Sequence, residues 1–163
     1  MITDKNLRVS EDQVLTLNAT SALSTYSINL SHDTDTTGVT GKGGGVRDLG
    51  EGKELFFNFA ITTAVASAAT SVTFEIVAAD NAALTTNLVV LASTGAVGYA
   101  SLTAGANIVL PVPPKIGSTG KAYIGARYTT AGDNSAGAGK VTTDIVEAIQ
   151  DGKKFYTSGF SVK

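Results

Sequence analysis

Apolar and polar positions alternate with a period of two in segment after segment of this chain. Phe57, Phe59 and Ile61 share one face of a strand whose other face carries Asn58, Ala60 and Thr62. Val72, Phe74 and Ile76 alternate with Thr73, Glu75 and Val77; Ile108, Leu110 and Val112 repeat the pattern, as do Ile124, Ala126 and Tyr128. Successive side chains of a strand point to opposite faces, so this alternation marks strands that bury one face in antiparallel sheets. Leu88-Val89-Val90-Leu91 is continuously apolar and is expected to be an inner strand. Thr25 to Leu30, Ala96 to Leu102 and Tyr156 to Val162 are weaker strands. With Gly, Asn, Asp and Pro between them, the series amounts to about eight short strands. Two sheets that hide each other's apolar faces accommodate that number as a β-sandwich or jelly roll, with a closed barrel as the alternative.

Two regions are less regular. In Val141 to Gln150, Val141, Ile145, Ala148 and Ile149 fit a helical stripe, while Val141, Thr143, Ile145 and Ile149 also alternate; strand is the preferred reading. Residues 1–20 show no period. Ser10 and Gln13 have the spacing of a helix capping box, but the β-branched and polar VLTLNAT that follows favours an extended arm. The expected organisation is therefore an N-terminal arm and lead-in over residues 1–20 and a single sandwich domain over 21–163. Loops at 31–46 and 129–140 are longer than sheet connections need, which marks them as functional or mobile.

Composition strengthens the all-β reading. Glycine, alanine and threonine make up more than a third of the 163 residues, tryptophan is absent, and long runs of helix formers are missing. A hydrophobic fraction of 43% with 16% charged residues suits a folded domain. The net charge is −2 and the basic residues are scattered singly apart from Lys153-Lys154, so nucleic acid is not an expected partner. Without cysteine there is no disulfide, thiolate nucleophile or thiolate metal site. The opening MITDKNLRVSED is charged where a secretory signal needs an apolar run. The most apolar window, Leu55 to Ala79, is interrupted by Asn58, Thr62, Thr63, Ser67 and Glu75, so no membrane span is expected. These features point to a protein made and kept in a cytoplasm, or in whatever assembles there.

The stretch TGKGGGVRDLGEG, residues 40–52, has the vocabulary of phosphate binding. A P-loop needs Gly, four residues, then Gly-Lys and a hydroxyl residue that holds magnesium. The Gly-Lys steps ending at Lys42, Lys53, Lys121, Lys140 and Lys153 are followed by Gly43, Glu54, Ala122, Val141 and Lys154, none a hydroxyl. The first-glycine position holds Thr36, Arg47, Lys115, Asn134 and Glu147 in turn. The dinucleotide pattern fails as well, at Val46 and Asp48. The sole histidine, His32, lies in a polar loop with no spaced partners. Asp33, Asp35, Thr37 and Gly38 match the start of a calcium loop, yet Gly44 stands where its bidentate glutamate belongs. No catalytic residue, metal site or cofactor is therefore expected, and the chain is not read as an enzyme.

Two segments carry a family likeness. The opening MITDKNLRVSEDQ and the stretch VRDLGEGKELFFNF resemble the small capsid cement, or decoration, proteins of tailed phages, of the type described for a Bordetella podovirus. The ending IVEAIQDGKKFYTSGF is similar to that family's C-terminal signature, through Gln150, Asp151, Tyr156, Ser158, Gly159 and Phe160. The insertion-like SHDTDTTGVTGKGGG is longer than the equivalent link in that family. The resemblance implies a jelly-roll-like antiparallel β-sandwich with an extended N-terminal arm and a non-enzymatic virion role. Its members bind the exterior of the mature head, bridge neighbouring major capsid protein subunits and commonly form homodimers. Assembly would take place in the bacterial host cytoplasm.

On this reading Ile2, Leu7 and Val9 are expected to anchor the arm on a neighbour, with Lys5 and Arg8 pairing to capsid acids. Removing residues 1–9 is then expected to leave the fold intact. Asp48 and Glu51 are expected to brace a turn in which Gly50 and Gly52 adopt conformations that need no Cβ. Leu55, Phe57 and Phe59 follow into the core. Tyr156 and Phe160 are expected to cover the open end of the sandwich, with a subunit contact as the alternative. The competing function is a carbohydrate- or receptor-binding β-sandwich on the virion, which would present an exposed row of tyrosines.

Overall fold

Alternation places three phenylalanines and a tyrosine where two sheets can meet, and the computed structural model shows that meeting. It describes residues 5–30, 54–114 and 119–147. Nine strands lie among them: β1 (Arg8–Val14), β2 (Ser21–Leu23), β3 (Ile28–Asn29), β4 (Phe56–Thr63), β5 (Ser71–Ala79), β6 (Val89–Gly98), β7 (Asn107–Pro111), β8 (Tyr123–Ala131) and β9 (Lys140–Val146). One sheet runs β1-β9-β4-β7 and the other β2-β8-β5-β6, with β3 also paired to β8. All these pairings are antiparallel. β5 occupies one side of β8 from end to end, so β2 and β3 follow one another along its other side as a single interrupted strand. Counted that way, the eight strands fill two four-stranded sheets in the order of a jelly roll.

The core follows from the period. Phe57, Phe59 and Ile61 of β4 face inward, and so do Val72, Phe74 and Ile76 of β5 and Ile124, Ala126 and Tyr128 of β8. The Phe59 ring of the first sheet meets two rings of the second: Phe74 at 5.2 Å between centroids and Tyr128 at 6.1 Å, the latter edge to face. Edge-to-face packing sets the positive ring edge against the negative face, which adds about 1 kcal/mol per pair to what burial supplies. The ambiguous stretch beginning at Val141 is a strand as far as it is described, and Val141, Thr143 and Ile145 point inward against Ile61, Phe59 and Phe57.

Several expectations change. Leu88 to Leu91 does not form an inner strand: β6 ends its sheet, and Val89 and Val90 are each 40% exposed. The weak strand expected at Ala96 to Leu102 breaks at Gly98, where a 3-10 turn over Tyr99–Ser101 tucks Leu102 into the core. Thr25 to Leu30 shrinks to Ile28–Asn29. Residues 8–14 fall inside the stretch expected as an extended arm. They are extended, but they form the edge strand of a sheet, with Val9 and the following Leu15 fully buried. The loop after β8 is fixed by the buried Asn134, whose amide nitrogen donates to the carbonyls of Leu15 (2.8 Å) and Ala138 (3.1 Å). Its length answers to structure: it clamps the exit of β1.

A second, smaller apolar cluster sits on the outer face of the β8–β5 pair, where the β5–β6 loop folds back. Leu84, at φ 57° and 1% exposed, lies over Val77 and Ala79. The space for it comes from Gly125 of β8, where a Cβ would stand 2.5 Å from Leu84 Cδ1.

Candidate functional site

The N-terminal segment begins with a 3-10 turn over Lys5–Leu7 and runs into β1. Arg8 donates from Nε to Asp144 of β9 and from a terminal nitrogen to Glu11, each at 2.8 Å. Asp144 is 3% exposed, so the pair holds β1 to β9 through a carboxylate that would otherwise be buried without a counter-ion. The hydrogen bond donated to Asp144 also raises the guanidinium pKa, fixing its charge.

Inside the same edge lies a chain of hydroxyls. Ser10 donates to Gln13 Oε1 at 2.7 Å, and its oxygen is 2.7 Å from the Tyr128 hydroxyl, which is 2.7 Å from Thr143 Oγ1. Each hydroxyl has one proton, so the order is settled: Thr143 donates to Tyr128, Tyr128 to Ser10 and Ser10 to Gln13. Gln13 extends the chain to the second sheet, donating to the Leu23 carbonyl at 2.7 Å and accepting from the Thr25 amide at 3.2 Å. With the Tyr26 amide donating to the Val9 carbonyl at 2.8 Å, this flank is laced shut. Ser10, Tyr128 and Thr143 are fully buried, so the network fixes strands and meets no solvent.

Between this N-terminal segment and Tyr26–Ile28 opens a cleft of about 370 Å³, with Lys5, Asn6, Arg8 and Glu11 on one wall. Tyr26, 56% exposed, stands on the other. The cleft offers an ammonium, the edge of a guanidinium and a phenol, groups suited to contact with another surface. Among the described residues no cluster of three His, Cys, Asp or Glu side chains is placed to hold a metal ion. No described helix is long and apolar enough to cross a membrane.

The residues singled out from sequence fall into three groups. Phe57 and Phe59 are core residues with no exposure. Of the five assigned to an arm, Val9 has no surface to offer a neighbour, Leu7 packs on the core, and Arg8 is paired within the chain; Lys5 is the one left exposed at the cleft. Ile2, Asp48, Gly50, Glu51, Gly52, Tyr156 and Phe160 lie outside the described residues, as do His32 and the glycine-rich stretch. Sequence reading missed the Ser10–Tyr128–Thr143 chain. The Ser10/Gln13 spacing signalled a real contact between those side chains, but one made in a bulged strand and not at a helix start.

Among curated proteins none matches the chain. The family model Bbp16 matches residues 9–145, the span from the buried start of β1 to the last inward residue of β9. The match covers the whole jelly roll, and the chain belongs to the Bbp16 family, a family of Bordetella phage proteins.

Proposed function

We propose that the protein is a capsid cement protein, bound to the outer surface of the mature phage head and bridging neighbouring major capsid protein subunits. The observation that carries this reading is a phage-family match spanning a jelly roll whose polar network is sealed in its core. Such a scaffold works by presenting surfaces. Many copies on one shell let individually weak contacts sum to a large avidity. On this reading its partners are the major capsid protein and further copies of itself, and its role is non-enzymatic. The glycan-binding alternative loses its main support: the exposed tyrosines among the described residues, Tyr26 and Tyr99, stand on opposite flanks of the sandwich and form no row.

The test is a stained gel of purified virions. A band near 16.6 kDa at about the molar amount of the major capsid protein is the expected result. Absence of the band, or a few copies per particle, would overturn the proposal.

A further inference from the structure

We propose that the flank built by β6 and β7 is the surface that seats this protein on the shell, against an uncharged, apolar face of the major capsid protein. The inference rests on the cement reading and names the docking surface within it. Among the described residues β6 and β7 end their respective sheets on the same flank and touch there. From Asn81 to Pro114, a run that contains both strands, there is no Asp, Glu, Lys, Arg or His. At the chain's average of 16% such a run would hold about five charged residues, and exposed sheet edges usually carry charge, lysine above all, to repel other chains. The opposite flank has Lys5, Arg8 and Glu11 and is closed by hydrogen bonds.

The charge-free edges are guarded in another way. Pairing of β5 with β6 shifts register twice, each time with one extra residue on β6. At one shift Gly95 takes φ 67° and the Thr94 hydroxyl accepts the Phe74 amide at 3.1 Å. β7 ends on Pro111, with Pro113 and Pro114 close behind. Bulges and prolines stop a foreign strand from adding to either edge while leaving the side chains uncharged. Val89 and Val90 at 40% and Tyr99 at 41% exposure are what this flank presents.

That chemistry selects the occupant. A partner charge buried here would lose its water and find no counter-ion, so the fitting surface is itself uncharged. A second free copy fits poorly. A stable dimer covers about 800 Å² on each partner around a large apolar centre, and the large apolar side chains exposed on this bulged flank are Val89, Val90 and Tyr99. On a shell, the same patch is one contact among several made at once.

The experiment adds the full chain to heads from a phage lacking its gene and measures decoration, with sedimentation of the free protein alongside. Val90→Lys and Tyr99→Lys, confirmed folded by their melting transitions, are expected to decorate at least tenfold more weakly with sedimentation unchanged. Val14→Lys, on the opposite flank and 52% exposed in the native protein, is expected to decorate normally. Full decoration by both flank variants, or equal loss from Val14→Lys, overturns the assignment alone. Loss of decoration together with a change in self-association also overturns it, in favour of a second copy as occupant. Failure of the native chain to decorate heads overturns the cement reading and this inference with it.

Discussion

Tyr128 joins both sheets through one oxygen. Its ring packs edge-on against Phe59 and Phe74, and its hydroxyl lies 2.7 Å from both Ser10 and Thr143. Replacing it with phenylalanine keeps the packing but leaves the buried Thr143 hydroxyl without its acceptor and Ser10 with Gln13 as its remaining partner, which costs about 1–3 kcal/mol. Chemical denaturation is expected to show that loss, and an unchanged midpoint would contradict the network. Burial, the largest influence, pushes the phenol pKa up to about 12, above its ordinary value of 10.0. The folded state therefore favours the protonated form. Stability is full below pH 10 and falls as pH rises through 12, by on the order of 3 kcal/mol for a shift of this size. The Tyr128→Phe variant is expected to lose less stability than the native chain across that interval in an alkaline titration followed by circular dichroism.

At the level of elements, what could be read from sequence depended on whether a strand was regular and central. β4, β5 and β8 keep their period because each lies between two neighbours and buries one face, so Phe57 and Phe59 were identifiable as core at once. β1 hid itself: register shifts on both sides of Ser10 bury the adjacent Val9 and Ser10 together, and Asp12 turns to φ 44°. No period of two survives that. β6 misled for a related reason, since a run of apolar residues looks the same in a central strand and at the edge of a sheet. The hydroxyl chain was unreadable because Ser10 and Tyr128 are 118 residues apart. Gly125 was equally silent, although its missing side chain is what admits Leu84. Gly125→Ala is expected to destabilise by about 1–3 kcal/mol through that overlap. Adding Leu84→Ala should then cost less than it does alone, because the truncation removes one partner of that overlap. Strict additivity in thermal melts would rule this out.

For the whole molecule, the two flanks differ in kind. One is laced by Gln13, Val9 and Arg8, and the other is bare of charge. The lacing ties residues 8–13 into the fold and argues against the expectation that residues 1–9 can be removed without loss. Removing residues 1–9 takes out the buried Val9 and leaves Asp144 without its cation. The truncated protein is expected to lose at least about 3 kcal/mol of global stability, visible in its urea midpoint. A midpoint equal to that of the intact chain would show that Arg8 and Val9 contribute nothing to the sandwich.

Pairing of the first strand with the last has a consequence for how the protein is made. Among the described residues β1 pairs in its sheet only with β9, which cannot leave the ribosome before residue 146 has been added. Until then its sheet lacks both an edge and the strand next to it. The nascent chain must carry a buried-to-be Val9 and an unpaired Arg8 until β9 emerges, and closing so long a loop makes that step slow. The full stability of the sandwich therefore cannot be reached before β9 is available to pair.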